Sequence, residues 1–332
     1  MGLAFDAARR NPRSLVGEPL VSQGLLAMRA SRDIVRQSLE AGNWPGIKTR
    51  HDDGDNFRLW VNYIGSDSRQ AGSVDRMGYS SRFNGLVSGA SAGLGEFFYA
   101  GAYCAYARAK TSYQSALASV DTDIVQTGVF AGLSPLPDLH LLADMSYVRA
   151  NNKSRRDTPM GRNLGHFRQN VFSAGLKARY DFYSEREFVL TPSVGLLYQH
   201  FRQAGFTESG AALTHRMNPM SASSLTGSLG LGFSRDFPLG ESDSFTPAIY
   251  VSLNREFADT ELQTGAEYAG YGSYFDISSG KWDRNSAELG INLRAKLTQA
   301  NKVELSFIGG YNVQFSNSYR NQQFYAGIDL RF

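Results

Sequence analysis

From Arg50 onward the chain alternates apolar and polar side chains in segment after segment of roughly ten or more residues, the length a tilted transmembrane strand needs. The closing stretch is continuous. Phe324, Ala326, Ile328, Leu330 and Phe332 fall on one face, and Tyr325, Gly327, Asp329 and Arg331 on the other, because successive strand side chains point to opposite sides. The same rule puts Leu289, Ile291, Leu293, Ala295 and Leu297 outside, against Glu288, Gly290, Asn292, Arg294 and Lys296 inside. Between Val303 and Phe315 the outer set includes Leu305, Phe307, Tyr311 and Val313, and the inner set begins with Glu304 and Ser306. Phe172, Leu176 and Tyr180 likewise face away from Ser173, Lys177, Arg179 and Asp181, and Asp144 is also assigned inward. Charges thus recur where a soluble sheet would keep its core.

A soluble antiparallel sandwich shares this period, so connection lengths must discriminate. The pattern predicts twelve strands, starting near Asn56, Gly78, Phe97, Ser119, Leu139, His166, Glu187, Ser221, Ser244, Asn285, Lys302 and Arg320. Every second connection is a tight turn, such as Gly93 to Glu96 or Pro238 to Asp243. The intervening ones are mostly longer and more polar, as in Asn151 to Gly165, Gly205 to Met220 and Ala258 to Arg284. Short turns at one end and long loops at the other are the asymmetry of an outer-membrane barrel, with the short turns periplasmic. The facing of Ser119 to Gly132 stays ambiguous, and the segment after Ala258 has room for an extra hairpin.

Residues before the strands read differently. Glu18 through Ala41 is rich in helix formers, with Leu20, Leu25, Met28, Val35 and Leu39 among Arg29, Arg32, Asp33, Arg36 and Glu40, and it closes on Gly42-Asn43-Trp44-Pro45, a helix stop. Such a helix spans roughly 36 Å, about the height of a barrel. Its thin apolar stripe and encircling charges suit a polar lumen, with Asp144, Glu288, Glu304 and Asp329 as candidate partners for Arg29, Arg32 and Arg36. The fold class is therefore all-β: a twelve-stranded antiparallel transmembrane β-barrel with an N-terminal α-helix inside the pore. Residues 1–17 form a linker or remnant, 18–42 the pore-spanning helix and 43–332 the barrel.

Composition narrows the alternatives. Mean hydropathy is −0.32 and no apolar run approaches the roughly 20 residues of a spanning helix, which excludes a helical membrane protein. A formal charge of +3, spread along the chain, offers no basic stripe for nucleic acid. Cys104 is the single cysteine, so no internal disulfide or thiolate metal pair forms, and no metal or cofactor is expected. Met1-Gly2-Leu3-Ala4-Phe5-Asp6 lacks the basic region and apolar core of a secretory signal, so export would need a signal that lay upstream or was removed.

The segment Leu190-Thr191-Pro192-Ser193-Val194-Gly195, running on to Gly205-Phe206-Thr207-Glu208-Ser209-Gly210, resembles the translocator domain of type V autotransporters. So do Phe57-Arg58-Leu59-Trp60-Val61, Phe245-Thr246-Pro247-Ala248, the polar helix ahead of the barrel and the Phe324 to Phe332 terminus. The resemblance covers about residues 15–332 and implies a monomeric barrel in the bacterial outer membrane. It also implies that the barrel contacts lipid, anchors its own upstream passenger and assists that passenger's export, with the helix left in the pore. The terminal strand then resembles the signal read by the barrel-assembly machinery, carried by Tyr325, Ile328, Leu330 and Phe332. Lumen-facing partners of the helix would come from Asp144, Lys177, Arg179, Glu288, Arg294, Glu304, Asp329 and Arg331. Some relatives cut themselves by cyclisation of an asparagine in the pore helix, but Pro12 through Gly42 contains no Asn, so no such cleavage is expected.

Alternatives are a free-standing barrel acting as a hydrolase, of phospholipase or omptin-like type, or a porin or adhesin. Hydrolysis would need a histidine near Ser or Asp. His51 precedes the first strand, His140 begins one, His166 and His215 lie near loops, and His200 is near an outer rim; none sits in a triad string. Gly227-Ser228-Leu229-Gly230-Leu231-Gly232 does not lead from strand to helix, so a phosphate cradle is not expected. The expected class is a translocator and not an enzyme, with no catalytic, cofactor or metal residues assigned.

Overall fold

The computed structural model describes residues 18–40, 57–73, 76–95, 97–113, 118–158, 160–184, 188–210, 213–240, 243–269, 272–298 and 303–332. Within them a helix, α1 (Glu18–Glu40), precedes twelve long strands. These are β1 (Phe57–Gln70), β2 (Tyr79–Gly93), β3 (Phe98–Tyr113), β4 (Ala118–Leu136), β5 (Leu139–Thr158) and β6 (Gly161–Tyr180). The second half comprises β7 (Phe188–Gln203), β8 (Met220–Arg235), β9 (Ser244–Glu256), β10 (Asn285–Thr298), β11 (Glu304–Phe315) and β12 (Tyr319–Arg331).

Each strand pairs antiparallel with its sequence neighbours, and β12 pairs with β1, from Arg58 against Arg331 to Gln70 against Tyr319. The ring is closed. At one end of the seam the Phe332 N–H donates to the Phe57 carbonyl at 2.9 Å, and the Phe57 and Phe332 rings lie 6.3 Å apart. Closure matters because a hydrocarbon surround offers no partner to an unpaired backbone group.

Alternation divides the wall as the pattern predicts. On β5, Leu141, Met145 and Tyr147 are exposed outward, while Leu142, Asp144, Ser146 and Val148 are buried inward. Leu176, Leu229 and Leu253 are each more than 60% exposed, at a burial value of about 1.5–3 kcal/mol per side chain. A continuous belt of such residues around the ring requires an apolar surround.

Three sequence expectations change. Asn151 to Gly165 is not a long loop: β5 and β6 continue as a hairpin from Leu139 to Tyr180, with residues 159–160 between them. Ser119 to Gly132 faces Val120, Ile124, Gln126 and Phe130 inward and Val125 and Val129 outward, so both of its faces are apolar. The connections after β7 and β9 carry short strands of their own, at Phe206–Thr207, His215–Met217, Gln263–Tyr268 and Ser273–Ser278, paired into a four-stranded cap sheet. An extra hairpin after Ala258 is thus present.

Ile291, midway along β10, is half-exposed on the outer face. Ile291→Arg is expected to lower stability by about 2–4 kcal/mol, as a cation at bilayer mid-depth does. Urea unfolding in phospholipid vesicles measures it, and the loss should vanish for Asn285→Arg at the strand end.

Candidate functional site

The lumen is occupied. Leu20, Val21, Leu25, Ala27, Met28, Ile34 and Val35 of α1 are buried in one cluster with inward side chains of the wall, among them Ile64, Val87, Ala107, Ile124, Val148, Val171 and Phe201. The expected polar lumen is therefore apolar where the helix docks. Val21 and Ile34 widen a stripe that sequence inspection read as thin; both are fully buried. Close approach needs a small residue at one point: a Cβ on Gly24 would stand 2.7 Å from the Phe201 ring and 3.1 Å from Leu262.

Polar groups fix the helix around its circumference. Gln23 donates to the Tyr113 hydroxyl at 2.8 Å, Arg29 to the Tyr79 hydroxyl at 2.7 Å, and Arg32 to Gln314 Oε1 at 3.1 Å. Asn321 donates to Asp33 at 3.2 Å, and the hydroxyls of Ser31 and Ser173 share a hydrogen bond of 3.1 Å. The Arg29 guanidinium also lies 3.6 Å from the centre of the Tyr319 ring. Gln199 Nε2 reaches the Met28 carbonyl at 3.0 Å and Ser173 Oγ at 3.2 Å. Each buried polar atom satisfied in this way avoids a desolvation penalty of about 1–3 kcal/mol.

Charge complementarity suggested acids as partners for the helix arginines, but the geometry differs for Arg29, which is taken by Tyr79 and Tyr319. Asp329 pairs with Arg58, and Glu304 pairs with Arg294 at 3.0 Å and Lys296 at 3.3 Å. These pairs sit at the short-turn end of the ring, away from the first turns of α1. Glu288, Asp144, Arg179 and Arg294 are buried and face inward, Lys177 is exposed within the lumen, and Arg331 is half-buried at the rim. Glu288 accepts from the Tyr250 hydroxyl at 3.0 Å. The Arg36 side chain lies outside the described residues. Of the terminal residues, Ile328 and Phe332 face outward, Leu330 is half-buried, and Tyr325 turns inward to donate to Asn292 Oδ1 at 2.6 Å. Gln23, Ser31, Tyr79, Tyr113, Gln126, Gln199 and Tyr319 were not singled out from sequence, and Ser173 was placed inward without being matched to the helix. The available signal was a polar side chain at an inward position midway along a strand, as with Gln126, Ser173 and Gln199.

The wall of β10 to β12, which the helix meets through Gln314 and Asn321, is largely polar. Asn292, Asn312, Gln314, Asn321 and Gln323 line β10 to β12. Between β4 and β7 an amide ladder runs from Thr122 to Asn152 (2.7 Å), Asn152 to Gln169 (3.1 Å) and Gln169 to Gln203 (2.7 Å). Such a network stiffens the wall on which α1 rests.

The cap closes the long-connection end over the helix start. Leu262, Ala266, Ile277 and Trp282 join the same buried cluster as Leu20 and Val21. At its edge Glu208 accepts from Arg156 Nη2 at 2.5 Å and Nε at 3.2 Å, and from the His215 backbone N–H at 3.1 Å. His215 Nδ1 lies 3.0 Å from the same carboxylate, and its ring packs against Tyr268 and Phe275. Burial raises the Glu208 carboxyl, but the hydrogen bonds from His215 and Arg156 outweigh it and hold the group below its ordinary value. Burial drives the His215 imidazole below its own.

The other histidines are placed as follows. His51 is outside the described residues, His166 is exposed on the outer face of β6, and His200 Nδ1 lies 3.0 Å from Ser223 Oγ on the outer rim. His140 stands between Ser134 Oγ, 2.8 Å from Nδ1, and Asp181 Oδ2, 3.4 Å from Nε2. Thr191 donates to the same buried Asp181 at 2.8 Å. This Ser-His-Asp string joins Ser134 and His140, six residues apart, to the distant Asp181, and it was not visible in the sequence. Among the described residues no cluster of His, Cys, Asp and Glu could hold a metal ion.

A closed ring with an apolar belt, a helix gripped in its lumen and a cap above it define a plugged transmembrane β-barrel. The autotransporter beta-domain family matches residues 59–308, and the chain belongs to that family. It is an outer-membrane translocator domain serving passenger export. The fold is similar to the translocator domain of the autotransporter NalP from Neisseria meningitidis, with a TM-score of 0.75 and 16% identity, covering 96% of this chain and 100% of that one. It is also similar to the β domain of the Bordetella autotransporter BrkA, with a TM-score of 0.63 and 17% identity, covering 83% and 98%. Outer membrane protein A of Rickettsia conorii is 22% identical over 292 residues, covering 83% of this chain and 14% of the Rickettsia protein. The chain thus spans a small part of that relative's length.

Acid should loosen the cap first. Both shifts at Glu208 and His215 are downward, so the unfolded segment takes up protons before the folded one and stability falls with pH. The His215 contribution is whole above about 6.5 and shrinks below it; that of Glu208 follows below about 4.5. Hydrogen exchange, corrected for its intrinsic pH dependence, should show residues 206–217 and 263–278 losing protection between pH 7.5 and 5 while β1 to β12 keep theirs. Cap protection that holds or rises at pH 5 would contradict this.

Proposed function

We propose that α1 is the trailing end of an exported passenger, held in the barrel through which that passenger left. The observation that carries this reading is the grip on α1. One helix face is buried against an apolar wall and the rest is tied by Tyr79, Tyr113, Ser173, Gln199, Gln314 and Asn321. In this reading residues 1–17 continue toward the passenger. The end carrying the cap faces the cell exterior, and the short turns and Phe332 face the periplasm, as connection lengths favour. One chain closes the ring, which supports a monomer surrounded by lipid. The β12 edge, with Ile328, Leu330 and Phe332 outward and Tyr325 inward, offers the amphipathic template that strand-adding assembly machinery would read.

The polar wall of β10 to β12 gives a passing segment hydrogen-bonding groups without a deep apolar trap, while the apolar wall of β2 to β7 retains the last helix. The chain is proposed to act without catalysis. A hydrolytic reading has one observation in its favour, the Ser134-His140-Asp181 string. Its serine faces Nδ1 and its aspartate Nε2, and Thr191 shares the aspartate, which suits a clamp joining the rim ends of β4 to β7. Ester turnover abolished by His140→Gln in folded protein would support the hydrolytic reading instead.

Planar-bilayer conductance tests the plug. Removing residues 1–42 takes away the helix and the apolar support under Leu262 and Ile277, and conductance is expected to rise several-fold over the whole chain. Equal conductance would rule the plug out.

A further inference from the structure

On β5, β6 and β7 the outward apolar belt ends at Tyr147, Phe172 and Tyr198. Beyond it come cations: Arg149 on β5, Arg168 on β6 and Arg202 on β7, all exposed. Strand register gathers them. Arg149 stands opposite Asn170, Asn170 stands opposite Arg202, and Arg168 is the next outward residue on the middle strand. With neighbouring strands about 4.8 Å apart, Arg149 and Arg202 are roughly 10 Å apart, with Arg168 between and above them. Lys153 and Arg155 extend the ridge along β5, both exposed.

Among the described residues, none of these five side chains makes a hydrogen bond or ion pair. The acids on this face are engaged or outnumbered. Asp123 pairs with Arg108 at 3.1 Å, Asp157 pairs with Arg162 at 2.7 Å, and Asp121 stands in register between Lys110 and Lys153. The opposite end of the ring presents Phe57, Phe98, Leu133, Leu190 and Phe332 outward instead. Uncompensated positive charge is thus densest at one end and one side, starting where the apolar belt stops, while Arg255 and Arg320 stand singly elsewhere on the outer face.

We propose that this ridge binds the phosphate groups of a phosphorylated glycolipid in the outer leaflet. Guanidinium forks match phosphate oxygens in pairs, and clustered cations at the edge of a bilayer bind anionic headgroups. The depth of the ridge selects the class of lipid. From Arg149 to Arg155 the cations cover roughly 20 Å of strand, more than the single phosphate layer of a glycerophospholipid occupies, and suited to a headgroup phosphorylated at several depths. The long β5–β6 hairpin acquires a use in this way, as a rigid arm that carries the ridge out through the headgroup layer. This inference rests on the proposed orientation, with the cap end outside the cell.

The test titrates lipopolysaccharide, native or enzymatically dephosphorylated, into the folded whole chain in detergent and follows the bound fraction by native mass spectrometry. Native lipid is expected to bind at least about ten-fold more tightly than dephosphorylated lipid. The triple variant Arg149→Gln, Arg168→Gln, Arg202→Gln should lose about the same factor, and Arg69→Gln with Arg82→Gln, cations on another side of the same rim, should leave binding unchanged. Heat-shifted gel mobility verifies that each variant is folded, and the dephosphorylated arm needs no variant. Equal binding of the two lipids, or a folded triple variant within about two-fold of the parent, would overturn the proposal. Orientation is read separately, by labelling Lys153→Cys in a Cys104→Ser chain with an impermeant maleimide on intact cells. Surface labelling supports the outer-leaflet assignment; labelling only after the outer membrane is opened overturns that assignment, whatever the binding in detergent.

Discussion

Pairing of the first strand with the last is the constraint on which everything else in this molecule depends. Within hydrocarbon an unpaired N–H or carbonyl costs several kcal/mol, so a sheet is tolerated only if it has no edge. The seam from Arg58 against Arg331 to Gln70 against Tyr319 removes that edge. Once the ring is closed, the two-residue period leaves each strand no choice: one set of side chains meets lipid and the other meets the lumen. The buried Arg58 and Asp329 pair lies at this seam, beside the contact of Phe57 with Phe332. The chain terminus thus contributes backbone pairing, an internal charge pair and an outer aromatic contact in the same few residues.

Closure creates a second demand, since a ring of this size encloses space that its own side chains do not fill. The chain answers unevenly around the circumference. On β2 to β7 the inward positions include Val87, Ala107, Ile124, Val148, Val171 and Phe201, and α1 packs there as a helix does in a soluble core. On β10 to β12 they are mostly amides and charges, with Ile308, Tyr319 and Tyr325 among them. This asymmetry reconciles retention with passage: one wall buries the apolar face of the helix, while the other meets it through polar contacts such as Gln314 and Asn321 and stays compatible with water and polypeptide. The cap continues the apolar contact upward through Leu262 and Ile277, so helix and cap support each other.

Much of this was legible in the sequence, and the failures have physical causes. Within the membrane two different solvents impose a clean alternation, so strand starts such as those of β5, β9 and β10 are read at the right residue. Beyond the membrane both faces are wet, and the alternation fades although the ladder continues, which is why Asn151 to Gly165 reads as loop. Where a strand touches lipid on one side and α1 on the other, as from Val120 to Phe130, both faces are apolar and the facing is ambiguous. The cap strands are two to six residues long, too short to carry a period, and they pair across long separations. Partners of the helix were harder still. A search for opposite charge finds Glu304 and Asp329, but rim cations already occupy them, and tyrosine hydroxyls and amides at the right depth take the helix side chains instead.

Helix α1 lies inside the ring against β6, with Ser31 and Ser173 in contact. Replacing both with cysteine in a Cys104→Ser background tests this placement most directly. Mild oxidation of the folded protein should join the two in high yield, whereas Ser31→Cys with Ala174→Cys, one residue along and facing lipid, should stay reduced. A folded Ser31→Cys, Ser173→Cys chain that forms no disulfide, or an Ala174→Cys chain that forms one as readily, would contradict the account.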